Sequence, residues 1–352
     1  MPSVKKNIFL LCAASAVALV LAEIIVRLAV VQETKRLAMY DPELGWRGRP
    51  NGDGVYIRLE DSINVPFHYN SLGFRDKEIV PRESVATRIL LLGDSFVENL
   101  EVPFEKTFPH LLEHHLQRDV DKGIDIVALA SQGYSTAQEV LALRKFGDRL
   151  RPDVVLLVFF SGNDFEDNMR SNFAYLDGSK RVIFPPNSDG FLKEQWLRFQ
   201  RWLYESSALV FYVKNVLASQ TALKMEDASK AMLDESKEYS FEITRKLIAA
   251  ARDEAEKYGA RFGLLLVASH FQMIEHDVEK PDFVAGVCRE AGIPFLDARS
   301  VVRPDDFFHH DIHFNEHGHA VMAAAIERFL ADELGIGKSL PEAELPRKGN
   351  ER

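Results

Sequence analysis

Five short apolar runs recur along this chain: residues 88–92 (RILLL), 124–130 (IDIVALA), 154–160 (VVLLVFF), 262–267 (FGLLLV) and 293–296. Continuous apolar runs of this length, bounded by turn residues, predict strands buried on both faces. Residues 106–120, 136–150, 235–258 and 282–291 lie between them and predict helices. In the third of these, Phe241, Ile248, Ala251 and Ala255 recur at helical spacing, with charges on the opposite side. Strand and helix in alternation mean a parallel sheet covered on both faces. The predicted fold is α/β, a three-layer α/β/α sandwich.

Three stretches break that rhythm. Residues 40–80 are rich in turn residues, with alternating pieces such as Val55-Tyr56-Ile57-Arg58-Leu59, and predict hairpins or extended strands. Arg47 and Arg75 are expected to tie those hairpins down. Residues 165–235 are too long for a strand-to-helix loop and hold Trp196, Phe199, Trp202, Tyr204, Phe211 and Tyr212, so they predict a helical insertion or lid. It could serve as a lid, an acyl pocket, a sugar platform or a membrane-contacting face, or simply pack its aromatics on the sheet. The third stretch is the N-terminus. Lys5 and Lys6 precede about 24 mostly apolar residues running to Val31, enough to cross a ~30 Å hydrocarbon core. Glu23 and Arg27 interrupt this run at i,i+4 spacing and could pair near one membrane face.

The expected organisation is a membrane anchor over residues 1–34 and a β-rich lead-in over 35–87. A catalytic domain over 88–334 contains the 165–235 insertion, and a mobile polar tail covers 335–352. A cleaved signal peptide competes with the anchor, but the run is long and no clean small-x-small site follows it. Lys35 and Arg36 nearly balance the N-terminal charge; a short tail kept inside is the simpler topology. It places the body of the chain outside the cytoplasm.

Composition narrows the chemistry. The 352 residues carry a formal net charge of −10, which argues against nucleic-acid partners. Only Cys12 and Cys288 are present, in unrelated contexts, so a structural disulfide and a cysteine metal site are not expected.

In such sheets, reactive groups sit just beyond the carboxyl ends of the strands. The first run leads into Gly93-Asp94-Ser95-Phe96, a tight turn that would expose a serine hydroxyl near a helix start. The second leads to Ser131-Gln132-Gly133-Tyr134, where Gly133 can bring a bare N–H close to a substrate. The third ends in Ser161-Gly162-Asn163-Asp164, offering a side-chain amide. Near the C-terminus, His309-His310-Asp311-Ile312-His313-Phe314-Asn315 supplies a base with a carboxylate beside it. Each piece has a plain alternative: Ser95 as a helix N-cap, Gly133 as a turn glycine, Asn163 as a cap. Their occurrence in order, three of them at strand ends, favours a shared site. Asn315 is read as the N-cap of helix 316–331. The histidines 309, 310, 313, 317 and 319 do not make a metal motif: His313 and His317 straddle a helix start and no HExxH is present. His319 is read as a packing residue. No cofactor is called for.

These pieces together resemble the SGNH/GDSL hydrolase superfamily: Gly93-Asp94-Ser95, Gly133, Gly162-Asn163-Asp164, and Asp311-Ile312-His313 with Asn315 and Gly318. They span residues 89–319. Asn70-Ser71-Leu72-Gly73-Phe74-Arg75-Asp76 and Leu44-Gly45-Trp46-Arg47 also resemble the lead-in of membrane-anchored bacterial members. The resemblance implies a flavodoxin-like sheet and ester chemistry, with Ser95 as nucleophile, His313 as general base and Asp311 holding the imidazole. It also implies an oxyanion hole from the Ser95 N–H, the Gly133 N–H and the Asn163 amide. Three departures stand out. Phe96 replaces the commoner Leu, and Ser161 precedes Gly162. His310 occupies the position, three before the histidine, where many members carry Asp. The acid here falls two before, similar to alginate O-acetyltransferase-like proteins, which leaves the orienting role open between Asp311 and the substitutes Asp306 and Asp305.

The expected function is a membrane-anchored, extracytoplasmic serine esterase acting on acyl, plausibly acetyl, esters of envelope or exported polysaccharide through an acyl-serine. O-acyl transfer to a saccharide hydroxyl differs only in what attacks that intermediate. A non-catalytic carbohydrate-binding or assembly protein on the same fold is the rival from another class, and a lipase using the aromatic insertion is a third.

Overall fold

The computed structural model describes residues 2–29, 37–117, 123–186, 191–210, 212–213 and 233–337. The 338–352 part of the expected tail, Lys35 and Arg36, Phe211 and residues 214–232 of the insertion lie outside the described residues.

The chain opens with helix α1 (Pro2–Ala29), whose Val4–Leu28 portion is long and apolar enough to cross a membrane and is exposed over most of its length. The turn-rich lead-in forms two antiparallel hairpins, β1 (Ala38–Asp41) with β2 (Gly45–Gly48) and β3 (Asp53–Arg58) with β4 (Ile63–His68). Along β4, Ile63, Val65 and Phe67 are buried while the residues between them are exposed, the alternation of a half-buried strand.

The five apolar runs become β5 (Thr87–Gly93), β6 (Ile124–Ala130), β7 (Val154–Phe160), β10 (Arg261–Val267) and β11 (Phe295–Asp297). Their spatial order is β6-β5-β7-β10-β11, and every pair is parallel. Written by order of appearance this is 2-1-3-4-5, the flavodoxin-like arrangement whose switch point lies between the first and third strands. Pro294 delays the last strand to Phe295; its carbonyl accepts the Leu264 N–H at 3.0 Å.

Alternate strand residues feed two cores. Leu90, Leu92, Val127, Leu129, Val155, Leu157, Leu264 and Leu266 face one side. There α4 (Thr136–Leu150), α7 (Leu233–Lys257) and α9 (Glu279–Ala291) contribute residues such as Val140, Ile248 and Val284. Ile89, Leu91, Ile126, Leu156, Val158 and Leu265 face the other, against α3 (Phe108–Gln117) and α10 (Glu316–Leu334). A period of two in the strands and 3.6 in the helices thus produces the three layers. The expected first helix is shortened at its start because residues 104–106 form a separate 3-10 turn.

The lead-in also covers the open side of edge strand β6. Asp76 Oδ2 accepts the Ala128 N–H at 2.8 Å, and Lys77 Nζ donates to the Ile126 carbonyl at 2.9 Å while pairing with Glu113 and Asp125. Burial lifts the Asp76 carboxyl to about 7 against the opposing pull of Lys77. Arg88 and Asp125, both buried, form an ion pair at 2.6 Å beneath this cover.

The insertion begins with a one-turn helix α5 (Asp164–Asp167), then a small hairpin that the sequence reading had not separated, β8 (Tyr175–Leu176) with β9 (Val182–Ile183). Helix α6 (Phe191–Ser206) follows. Cys12 is exposed and Cys288 buried, and both are free thiols.

Candidate active site

Strand β5 delivers its last residue, Gly93, into a turn so tight that a Cβ there would lie 2.4 Å from Val97 Cγ2. The turn continues into α2 (Ser95–Glu98). Asp94, not Ser95, takes the capping role: its Oδ1 accepts the Phe96 N–H at 2.9 Å. The plain capping alternative for Ser95 therefore falls to its neighbour, and the Ser95 hydroxyl is left for another partner.

That partner is His313, whose Nε2 lies 2.7 Å from Ser95 Oγ. The other ring nitrogen, Nδ1, is bonded to Asp311 Oδ1, which also accepts the His313 N–H at 3.0 Å. Two bonds to one oxygen fix both the backbone and the ring of the histidine. Phe96, with its ring centre 5.0 Å from that of His313, packs against the imidazole. Of the two alternative acids, Asp306 has its carboxylate engaged elsewhere. Asp306 bonds His317 Nδ1 at 2.6 Å and the Arg303 N–H at 2.7 Å, and the Asp305 carbonyl accepts from Asn315 Nδ2 at 2.8 Å. Asn315 is the N-cap of α10, its Oδ1 accepting the His317 and Gly318 N–H groups at 3.0 and 3.1 Å. His319 is buried, with Nδ1 accepting the Phe108 N–H at 3.3 Å; burial, reinforced by Arg75 and His313, holds it down at about 3, so it stays neutral.

Gly133 adopts φ +72°, a backbone region that favours glycine. Its loop is held from several sides. Glu98 Oε2 accepts the Gln132 N–H at 2.7 Å, Trp46 Nε1 donates to the Gln132 carbonyl at 3.2 Å, and Arg170 Nη1 donates to the Gly133 carbonyl at 2.6 Å. The Ser95 and Gly133 N–H groups donate to no backbone carbonyl or side chain among the described residues. Asn163, after β7, is placed differently from the expectation: its Nδ2 donates to Asp94 Oδ2 at 3.3 Å and Asp167 Oδ2 at 3.1 Å, so both amide hydrogens face carboxylates.

Three residues at this site carried no sequence signal. Arg58, at the end of β3, forms an ion pair with Asp311 Oδ2 at 2.7 Å and donates to the His310 carbonyl at 3.0 Å. From the same hairpin, Asp61 Oδ1 accepts the His310 N–H at 3.0 Å. Glu101, buried, places Oε1 3.4 Å from His313 Nδ1, and neither of its oxygens has a hydrogen-bond partner among the described residues. Arg75 lies below. It is itself buried and donates to the carbonyls of Glu98, Asn99 and Val102, so it anchors the loop bearing Glu101 and not the hairpins it was expected to tie down.

The electrostatics follow from this packing. Burial works against a charged imidazole, but Glu101, Asp311 and Asp94 outweigh it and push His313 up to about 9. Burial raises Asp311, yet its bonds to His313 and the Arg58 charge leave it below the ordinary carboxylate range. Glu101 moves the other way, lifted by burial and by Asp311 against the pull of His313. Beneath the turn, Asp94, Glu139 and Asp164 are all raised, chiefly by burial, and Asp167 reaches about 6.

A hydroxyl, an imidazole and a carboxylate in line can pass a proton from Ser95 to His313 as the oxygen attacks an acyl carbon. Glu101, Asp311 and His313 also bring three possible metal-ligand atoms within 4.8 Å of one another. In this arrangement Arg58 supplies positive charge to Asp311, and His313 Nε2 is committed to Ser95.

A psychrotrophic esterase, EstA, from Pseudoalteromonas sp. is similar at 11% identity and a TM-score of 0.42, over 71% of this chain and 100% of that one. The lipase/acylhydrolase from Enterococcus faecalis is similar at 12% identity and a TM-score of 0.41, over 73% and 100%. Axe2, an acetylxylan esterase from Geobacillus stearothermophilus, is similar at 13% identity and a TM-score of 0.37, over 70% and 95%. No curated protein matches the chain. The model of the GDSL-like lipase/acylhydrolase family matches residues 91–321, most of the chain. The chain therefore belongs to the GDSL-like lipase/acylhydrolase family and is an ester hydrolase of that type.

Proposed function

We propose that Ser95 is the nucleophile of a serine esterase, with His313 as its general base and Asp311 as the acid that orients the ring. The observation that carries this reading is the line from Ser95 Oγ to His313 Nε2, at 2.7 Å, and on through Nδ1 to Asp311. Attack on the ester carbon gives a tetrahedral oxyanion. The Ser95 and Gly133 N–H groups stand ready as donors, and Asn163 joins by turning one amide hydrogen away from Asp94 or Asp167. One such donor is worth roughly 3 kcal/mol in the transition state. His313 then gives its proton to the leaving alkoxide, an acyl-serine remains, and water activated by the same imidazole releases the acid.

Acetyl or other acyl esters on envelope or exported polysaccharide are the proposed substrates. Support for that part comes from the exposed apolar α1, which as an uncleaved anchor would hold the body of the chain on the outer face. Transfer to a saccharide hydroxyl is the same chemistry with a different second nucleophile.

Fluorophosphonate labelling of the full chain in detergent tests the triad without knowledge of the substrate. A mapped adduct on Ser95 that vanishes in His313→Ala and falls sharply in Asp311→Ala is expected. A folded wild-type chain that takes up no label would leave a binding role as the better account.

A further inference from the structure

Three aromatic residues of α6 face away from the sheet. Trp196, Phe199 and Trp202 are 56%, 47% and 59% exposed, and their rings form a ladder with centres 5.7 and 5.8 Å apart. Tyr212 and Val213 extend the exposed apolar surface beyond the end of the helix. α6 also meets β1, where Arg198 lies 6.0 Å from the ring centre of Tyr40. An exposed aromatic face of this kind calls for an occupant.

The apolar helix α1 indicates what that occupant is. Glu23 and Arg27, the two charges that interrupt its apolar run, both insert into the corner where α6 ends. Arg27 Nη2 donates to the Ser206 carbonyl at 2.7 Å. Glu23 accepts from Ser207 Oγ at 2.7 Å and from the Ala208 and Leu209 N–H groups at 2.9 and 3.0 Å. A cation thus meets the carbonyl end of one helix and a carboxylate meets the N–H end of the next turn, each satisfying groups that a helix terminus leaves open. The pair is itself closed at 2.7 Å. Glu23 precedes Leu28, the end of the apolar span, by five residues, or about 8 Å along a helix. The corner therefore sits at the depth, roughly 5–10 Å into the headgroup and acyl boundary, where amphipathic helices lie in a bilayer.

We infer that α6 is a second membrane element: its Trp196–Phe199–Trp202 face rests in the interfacial zone of the bilayer that holds α1, and the Glu23–Arg27 pair locks the two together. This rests on reading α1 as an uncleaved anchor. Tryptophan suits such a position because its ring is apolar and its N–H can bond at the wet side. The seat also reaches the candidate site. α6 packs on β1, β1 pairs with β2, and Trp46 of β2 donates to the loop carrying Gly133.

The chain has three tryptophans, two of them on this face, so fluorescence reads it directly. The full chain is reconstituted in phosphatidylcholine vesicles whose acyl chains carry bromine either near the headgroup or near the chain end, and flotation is scored on the same samples. The expected result is co-flotation, strong quenching by the shallow bromine and weaker quenching by the deep one. Trp196→Phe with Trp202→Phe should lower the quenched fraction at least twofold, with ester hydrolysis and flotation retained. Glu23→Ala with Arg27→Ala should weaken shallow quenching while the chain still floats. A chain that floats but shows no quenching of Trp196 and Trp202 overturns the inference and leaves the anchor standing. A chain that does not float overturns both. Emission that shifts with protein density and ignores bromine places a second copy on the face and overturns the bilayer as its occupant.

Discussion

Arg58 and Asp311 form an ion pair at 2.7 Å, joining the end of a lead-in strand to the acid that holds His313. The carboxylate side chain is fully buried, while the guanidinium retains about a third of its exposure. Its second contact, to the His310 carbonyl, fixes the loop as well as the charge.

Replacing Arg58 with Gln should lower kcat/KM about 10-fold, the size of loss expected for removing one partner of a close ion pair. KM should change little, since Arg58 touches the triad acid and not the scissile bond. Without the guanidinium, the Asp311 charge acts unopposed on His313, so the acidic limb of the pH–rate profile should move to higher pH. An Arg58→Lys variant should recover the limb position more fully than the rate, because lysine restores the charge without the two-pronged geometry. Unchanged profiles in both variants would assign Arg58 to folding alone.

The pH dependence has a defined sign. General-base catalysis needs neutral imidazole, and His313 is pushed up to about 9, so activity should rise through the alkaline range towards that value. Glu101 is the leading charge behind the upward push, and Glu101→Gln should bring the limb down towards neutrality. The linkage to stability runs the opposite way. A histidine with a raised folded value contributes stability fully below its unfolded value near 6.5, and that contribution is lost as pH rises through about 9. Thermal melts of the wild type should therefore lose stability as pH rises through about 9, and Glu101→Gln should move that loss to lower pH.

The two candidate acids should respond differently. Asp311→Asn should cost about 10⁴ in kcat, since the amide favours the wrong imidazole tautomer. Asp306→Asn should leave kcat within about twofold but destabilise the loop by about 2 kcal/mol, through its bonds to His317 and the Arg303 N–H. Activity assays set beside melting curves separate the two. Comparable activity losses would return the orienting role to Asp306.

For the Asn163 amide, substitution by Ala should lower kcat by 10²- to 10³-fold, the usual loss for one oxyanion donor. Its partners predict a companion effect. Asp167 holds one amide hydrogen in the resting arrangement, so Asp167→Ala should free that amide and leave the fluorophosphonate adduct on Ser95 intact. An Asn163→Ala enzyme at wild-type kcat would remove Asn163 from the oxyanion hole.

Most of the sheet was legible because strands buried on both faces read as unbroken apolar runs; 124–130 and 154–160 match their strands residue for residue. Ser95, His313 and Asp311 were legible because each follows a strand or precedes a helix in a recognisable local motif. Arg58 and Glu101 were not, because their meaning depends on contacts made across the chain. An arginine at the end of an alternating strand is ordinary until the hairpin folds over residue 311. A glutamate beside Leu100 and Val102 gives no hint that it will be buried against an imidazole. The aromatics of α6 posed the reverse difficulty: their number was plain, but only the fold shows that they face outward.

Asp76 and Lys77 occupy the hydrogen-bonding side of β6, and the opposite border of the sheet is β11, only three residues long. Neither border offers a long row of open N–H and C=O groups to another chain. Under the proposed reading of α1 as an anchor this matters, because copies confined to a surface meet far more often, and in fewer orientations, than copies in solution. A sheet with a bare rim would turn that crowding into strand-to-strand fibres. With one rim covered and the other only three residues long, neighbouring copies so held could pack densely and still collide as separate heads.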